Sequence, residues 1–255
     1  MNPSELTLCI MTCPRKPSYI TQTLANVFMS DPLIFDVGEI NLVIDSGKQN
    51  YLRNYQQFSR VNRCFPTPKQ GVEEHKFFEV SGLPPKKQKE VRFCYTYCRC
   101  LDMIGDSEGI LILEDDIIVR DHFIEHLFEA LNEIYDDKFI VALKTRTNIA
   151  ASKKLWQGKY HLSYPFHDFL GTTGMYYSKA VVSEVRKYIW THGVVNHRYP
   201  GDELVKELVK KNKYLYALCA DLVEHVGTTS FIGNFDYGDL PSHTFKLPWK
   251  PLGEK

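Results

Sequence analysis

No charge of one sign dominates this chain. Its 31 basic residues balance 31 acidic ones, so the formal net charge is zero. That excludes a surface attracted as a whole to nucleic acid and leaves only a local basic face open. No apolar run approaches the ~20 residues that span a bilayer. The start, Met1-Asn2-Pro3-Ser4-Glu5, lacks a basic segment followed by a long apolar one, so it does not read as a secretion signal. These absences predict a cytoplasmic protein without a membrane span. The seven cysteines, at 9, 13, 64, 94, 98, 100 and 219, are odd in number, and no second pair stands at zinc-ribbon spacing. We expect reduced, mostly buried thiols. Nor is the composition biased: 44% hydrophobic, 24% charged and 13% aromatic residues exclude disorder and coiled coil.

What is present alternates strands with helices. Leu6–Met11 is a short apolar strand, followed by a loop with Pro14 and Pro17 and a helical pattern from Ser18 with Ile20, Leu24 and Val27 on one face. Ile40–Ile44 is a second strand. Residues 48–90 are polar, carry Pro66, Pro68, Pro84 and Pro85, and read as an irregular excursion. Residues 91–104 read as helix. Gly109–Leu113 reads as a buried central strand, and Asp121 as the cap of a helix striped by Phe123, Leu127 and Leu131. Phe139–Leu143 is another strand, and residues 145–170 are loop-like. Helices follow over 178–190 and 202–211, and Tyr214–Leu218 is a short strand. The order predicts one α/β domain over 1–233, with a mixed, mostly parallel sheet flanked by helices, and a tail over 234–255.

Three segments carry chemistry. Glu114-Asp115-Asp116 directly follow the buried strand, at the carboxyl edge where open α/β sheets bind ligands. Three adjacent acids repel one another, so a cation is expected, and hard oxygen ligands favour Mg²⁺ or Mn²⁺. Glu224-His225-Val226-Gly227-Thr228-Thr229-Ser230 sets one histidine beside glycine and hydroxyls, which suits a metal ligand next to a phosphate. Pro200-Gly201-Asp202-Glu203-Leu204 places Asp202 as a helix cap, a position from which a carboxylate can act as general base.

Together the first strand with Thr12-Cys13-Pro14-Arg15, the Leu113–Ile118 segment and the late His225-Val226-Gly227 resemble GT-A glycosyltransferases, nearest the N-acetylglucosaminyltransferase IV group. Gly171–Ser178 also looks like a segment of lipooligosaccharide-type galactosyltransferases. The resemblance implies a single GT-A, Rossmann-like domain and metal-dependent, inverting transfer from a nucleotide-sugar, with UDP the expected nucleotide, to a hydroxyl acceptor such as a glycan. It implies Asp116 and His225 as ligands of Mn²⁺ or Mg²⁺, and Thr12, Arg15, Asp45, Arg92, Glu114 and Asp115 as the nucleotide-contacting set. Asp202 falls where such enzymes carry their catalytic carboxylate. Gly171, Thr172 and Thr173 lie in a glycine-flanked turn placed to meet sugar or acceptor, and Trp156, Tyr164 and Phe166 could stack on a sugar ring.

That group normally adds a membrane anchor and a carbohydrate-binding domain, and neither is expected here. A non-enzyme carbohydrate-binding module is disfavoured, since it would not need three acids at a strand end and a late histidine, and two nearer rivals stand beside this reading. One is a Mg²⁺-dependent nucleotidyltransferase, disfavoured because residues 12–17 hold two prolines and no glycine with which to cradle phosphate. The other keeps the chemistry but glycosylates hydroxymethylated DNA, held by the basic runs Lys86, Lys87, Lys89, Arg92 and Lys206, Lys210, Lys211, Lys213.

Overall fold

A computed structural model describes residues 1–13, 18–44, 60–64, 82–145, 149–169, 171–198, 201–212, 214–227 and 244–253. Among them ten strands are present. The central sheet contains β1 (Leu6–Thr12), β2 (Glu39–Ile44), β3 (Val61–Cys64), β4 (Gly109–Glu114), β6 (Ile140–Ala142), β7 (His161–Ser163), β8 (Gly174–Ser178) and β9 (Leu215–Leu218). A separate two-stranded ribbon pairs β5 (Ile117–Val119) with β10 (Val223–His225). The helices are α1 (Ile20–Ser30), α2 (Pro85–Leu101), α3 (Phe123–Leu131), α4 (Lys179–Ile189) and α5 (Gly201–Asn212).

The sheet runs β3-β2-β1-β4-β8-β6-β9-β7. The β3–β2, β2–β1, β1–β4 and β6–β9 pairs are parallel, and the other three are antiparallel. It is thus the mixed, mostly parallel sheet flanked by helices that the strand–helix alternation predicts. All seven residues of β1 are buried, because helices cover both faces of the sheet. Leu6, Leu8 and Ile10 of β1 face one core with Leu111 and Leu113 of β4, built from α1 and α3. Cys9 and Met11 face the other with Ile110 and Ile112, built from α2, α4 and α5. This alternation is the period of two expected of a strand. Buried Tyr97 of α2 and Tyr177 of β8 bridge helix to sheet through their hydroxyls at 2.6 Å, and burial raises the pKa of both phenols.

The structure departs from the sequence expectations at four places. The stretch 48–90 is not wholly irregular: Val61–Cys64 forms an edge strand, and α2 begins at Pro85 rather than at 91. Proline fits the first helical turn, where its missing N–H has no partner to lose. Residues 145–170 contain the strand β7. The helix at 202 begins one residue earlier, so Asp202 lies inside its first turn rather than at its cap. Finally, Asp121 does not cap α3. The residue before that helix is His122, in the left-handed region at φ 56°. The cap comes instead from buried Asp31, whose Oδ2 accepts the Glu125 N–H at 2.8 Å while its Oδ1 accepts the Leu33 N–H at 2.9 Å.

Cys9, Cys94, Cys98, Cys100 and Cys219 are buried, Cys13 is half-buried, and none of these six is in a disulfide. Residues 244–253 pack on the domain. Arg120 donates to the carbonyls of Thr244, Phe245 and Leu247, and Trp249 stacks between His126 and Tyr160.

Because Asp31 caps two helical segments at once, Asp31→Ala should destabilise the protein by about 1–2 kcal/mol in urea titrations. Asp121→Ala, at an exposed position, should stay within about 0.5 kcal/mol of wild type.

Candidate active site

The acidic turn lies between β4 and β5, at the carboxyl ends of β1 and β4. Repulsion among three consecutive carboxylates would open this turn, so what holds it matters. Thr23 of α1, fully buried, donates its hydroxyl to the carbonyls of Asp115 and Ile117 at 2.7 and 2.8 Å. Asn26 Oδ1, one helical turn on, accepts the Val119 N–H at 2.5 Å. From the other side, the N–H groups of Val226 and Gly227 donate to the Asp116 carbonyl at 2.8 and 3.2 Å. The turn is therefore fixed by its backbone, which leaves the carboxylates to point by geometry rather than by mutual avoidance.

Each acid then has its own surroundings. Asp115 is buried and accepts the Thr12 hydroxyl at 2.5 Å. Glu114 accepts the Thr172 hydroxyl at 3.3 Å, and its N–H donates to the Thr173 carbonyl at 3.1 Å. Asp116 is buried, and its Oδ2 lies 3.0 Å from His225 Nε2. The β5–β10 ribbon causes this meeting, because its register sets His225 opposite Ile117, the residue after Asp116. One donor atom from each of Glu114, Asp116 and His225 lies within 4.8 Å of the other two.

These three donor atoms are close enough together to hold one cation. Two carboxylates and an imidazole make a donor set suited to a divalent ion. His225 Nδ1 is buried with no partner among the described residues, so the ring's orientation rests on Nε2. Gly227 closes the site: a Cβ there would stand 2.2 Å from Asp116 Oδ2. Burial opposes charge on His225, but its hydrogen bond to Asp116 and the nearby Glu114 outweigh that and raise its pKa, with Lys144 pulling the other way.

Of the residues singled out from the sequence, Thr12, Glu114, Asp115, Asp116, Thr172, Thr173 and His225 come together, and Gly171, at φ 156°, leads into their turn. Arg92 is half-buried on the second turn of α2. Trp156 is not brought to the cluster. It bridges to Leu162 at the far edge of the sheet, four strands from β4, and its Nε1 donates to the Ala150 carbonyl. Arg15, Asp45, Thr228, Thr229 and Ser230 lie outside the described residues, as do the side chains of Asp202 and Phe166. In the basic runs, Lys87 pairs with Glu90 and Lys210 with Glu207.

Sequence reasoning missed Thr23 and Lys144, and gave Glu224, quoted beside His225, no role of its own. Lys144, almost fully buried, pairs with Glu224 at 3.0 Å, and the same Glu224 oxygen accepts the His225 N–H at 3.1 Å. A signal existed for Lys144: it follows the apolar strand 139–143 as Glu114 follows 109–113. None existed for Thr23, which reads as an ordinary helix residue.

No family model matches the sequence. No curated protein matches it. Solved structures do. Two crystal structures of S. aureus TarS 1–349 match, one of them in complex with UDP, with TM-scores of 0.51 and 0.53 at 14% and 12% identity. Each covers 88% of this chain, which spans 59% of the TarS chain. At this identity the likeness concerns the fold, which is shared and Rossmann-like. Scores of 0.44, too low to argue from, relate the chain to the glycosyltransferase GlyE of Streptococcus pneumoniae and to a 4-diphosphocytidyl-2C-methyl-D-erythritol synthase of Anaerococcus prevotii.

Removing the hydroxyl beside buried Asp115 with Thr12→Val should cost about 1–3 kcal/mol in denaturant titration. A pH effect follows from His225. With its folded pKa raised above its unfolded value, its contribution to stability is fully present below about pH 6.5 and is lost as pH rises through the folded value. In EDTA, the stability gap between wild type and His225→Gln should therefore shrink as pH rises above 6.5; a gap constant with pH contradicts this.

Proposed function

We propose that this chain is a metal-dependent, inverting glycosyltransferase that moves a sugar from a nucleotide-sugar, with UDP the nucleotide, to a hydroxyl acceptor of the glycan class. The observation that carries the reading is the convergence of Glu114, Asp116 and His225 at the carboxyl edge of the parallel strands. The fold shared with TarS, one of whose structures holds UDP, supports it. The resemblance to the N-acetylglucosaminyltransferase IV group belongs to the same proposal, as does the division into a catalytic domain, 1–233, and a tail, 234–255.

Asp116 and His225 would hold Mn²⁺ or Mg²⁺, with Glu114 beside them. Such an ion supplies positive charge against the diphosphate leaving group. Thr12 fixes Asp115 so that its remaining acceptor capacity serves the nucleotide, together with Arg15, Asp45 and Arg92. Asp202 takes the proton from the acceptor hydroxyl. That oxygen bonds to the anomeric carbon as the carbon–phosphate-oxygen bond breaks on the opposite face, and the configuration inverts. Asp202, in the first turn of α5, acts through its placement at the acceptor hydroxyl. Thr172 and Thr173, on the turn beside Glu114, are set to orient the sugar.

The test is slow donor hydrolysis across UDP-, GDP-, CMP- and dTDP-sugars, in Mn²⁺ and in EDTA. One UDP-sugar should be hydrolysed in Mn²⁺ alone, and Asp116→Ala should reduce that rate at least a hundredfold. Hydrolysis indifferent to both EDTA and Asp116→Ala overturns the reading. Gly227→Ala, which pushes a methyl onto Asp116, should weaken Mn²⁺ binding at least tenfold by calorimetry while leaving the fold intact by circular dichroism. Asp202→Asn should abolish transfer yet leave UDP binding unchanged.

A further inference from the structure

The turn that leads into α3 carries a second set of metal-ligating side chains, apart from the acidic cluster. His122 and His126 stand four residues apart, so they rise on one side of the helix start. Their ring centroids are 6.0 Å apart. Each ring has a carboxylate behind it: His122 Nδ1 lies 3.1 Å from Glu125 Oε2, and His126 Nδ1 lies 3.3 Å from Glu129 Oε2. A carboxylate only accepts, so in the neutral His126 ring the Nδ1–H donates to Glu129 and Nε2 is the nitrogen left for a metal. Imidazoles that bind metals are held in this way.

The His126 arrangement is built rather than loose. Glu129 Oε2 also accepts the Trp249 Nε1–H at 2.6 Å, and the Trp249 ring stacks on His126 at 4.7 Å and 15°. Tyr160 covers the other face of Trp249 at 5.5 Å. His122 is held at φ 56°, a conformation uncommon for a side chain other than glycine, by its own N–H to the Ser30 carbonyl at 2.9 Å. Both histidines line one cleft of about 400 Å³, which Asp121 also lines. Two cations also line it: Lys246, and Arg120, which is turned to the carbonyls of Thr244, Phe245 and Leu247.

We propose that His122 and His126 form a binding site for a late first-row divalent cation, Zn²⁺ or Ni²⁺, through their Nε2 atoms, with the remaining positions open to water. Imidazole nitrogen selects these ions over Mg²⁺. A shared ion about 2.0–2.1 Å from each Nε2 draws the rings slightly closer than they stand, and the movement falls on His122, whose side chain is 62% exposed. The site does not depend on the glycosyltransferase reading.

The test titrates Zn²⁺, and then Ni²⁺, into the Asp116→Ala protein by calorimetry, so that the acidic cluster does not contribute. One equivalent should bind, at least tenfold more weakly after His126→Ala or His122→Ala, and about 10–100-fold more weakly after Glu129→Gln. Absence of uptake, or uptake unchanged by both histidine variants, overturns the site. Imidazole ¹⁵N spectra of the wild-type protein in excess Mg²⁺ give an independent readout. Zn²⁺ should shift the Nε2 resonances of these two rings, and spectra in which they stay still also overturn it.

Discussion

Repulsion among Glu114, Asp115 and Asp116 is the constraint around which this molecule is arranged. Three carboxylates in sequence cannot be held by pairing with one another, so the fold secures the backbone between them instead. Thr23 and Asn26 reach from α1 to grip the turn on one side, and the N–H groups of Val226 and Gly227 grip it on the other. These contacts join parts of the chain almost a hundred residues or more apart. The strand order serves the same end: β1 and β4 lie side by side, which brings Thr12 to Asp115.

The β5–β10 ribbon is the second element on which the account turns. It is short, yet its antiparallel register decides which side chain from the end of the domain meets Asp116. A slip of one residue would turn His225 to the other face and leave Asp116 beside Glu224. In the register observed, Glu224 is engaged by Lys144 at 3.0 Å. The result is a site with carboxylate and imidazole on one side and a paired lysine and glutamate behind it.

Much of this was legible in the sequence, for identifiable reasons. The run from Gly109 to Leu113 announces a buried strand because every residue in it is apolar, and the acids that follow must then emerge at the sheet edge. The helix of 20–30 was legible from its apolar stripe. The edge strand Val61–Cys64 was not, because a four-residue strand of mixed polarity has no period to detect. The start of α2 was hidden by Pro84-Pro85, which read as a break and in fact open the helix. The cap on α3 comes from Asp31, ninety-odd residues away in sequence, and no local rule could have chosen it over Asp121. At the site, His225 could be singled out as a candidate, but its meeting with Asp116 rests on the ribbon's register. Trp156 was singled out by residue type alone, and its place at the far sheet edge follows from β7, a strand too short to foresee.

The most direct test is crystallographic. Crystals grown with Mn²⁺ and UDP, measured at the manganese absorption edge, locate the ion without assumption. The account predicts an anomalous peak within bonding distance of the Asp116 carboxylate and His225 Nε2, with the diphosphate of UDP on its open side. A peak elsewhere, or none in this cluster while UDP is bound, would contradict it.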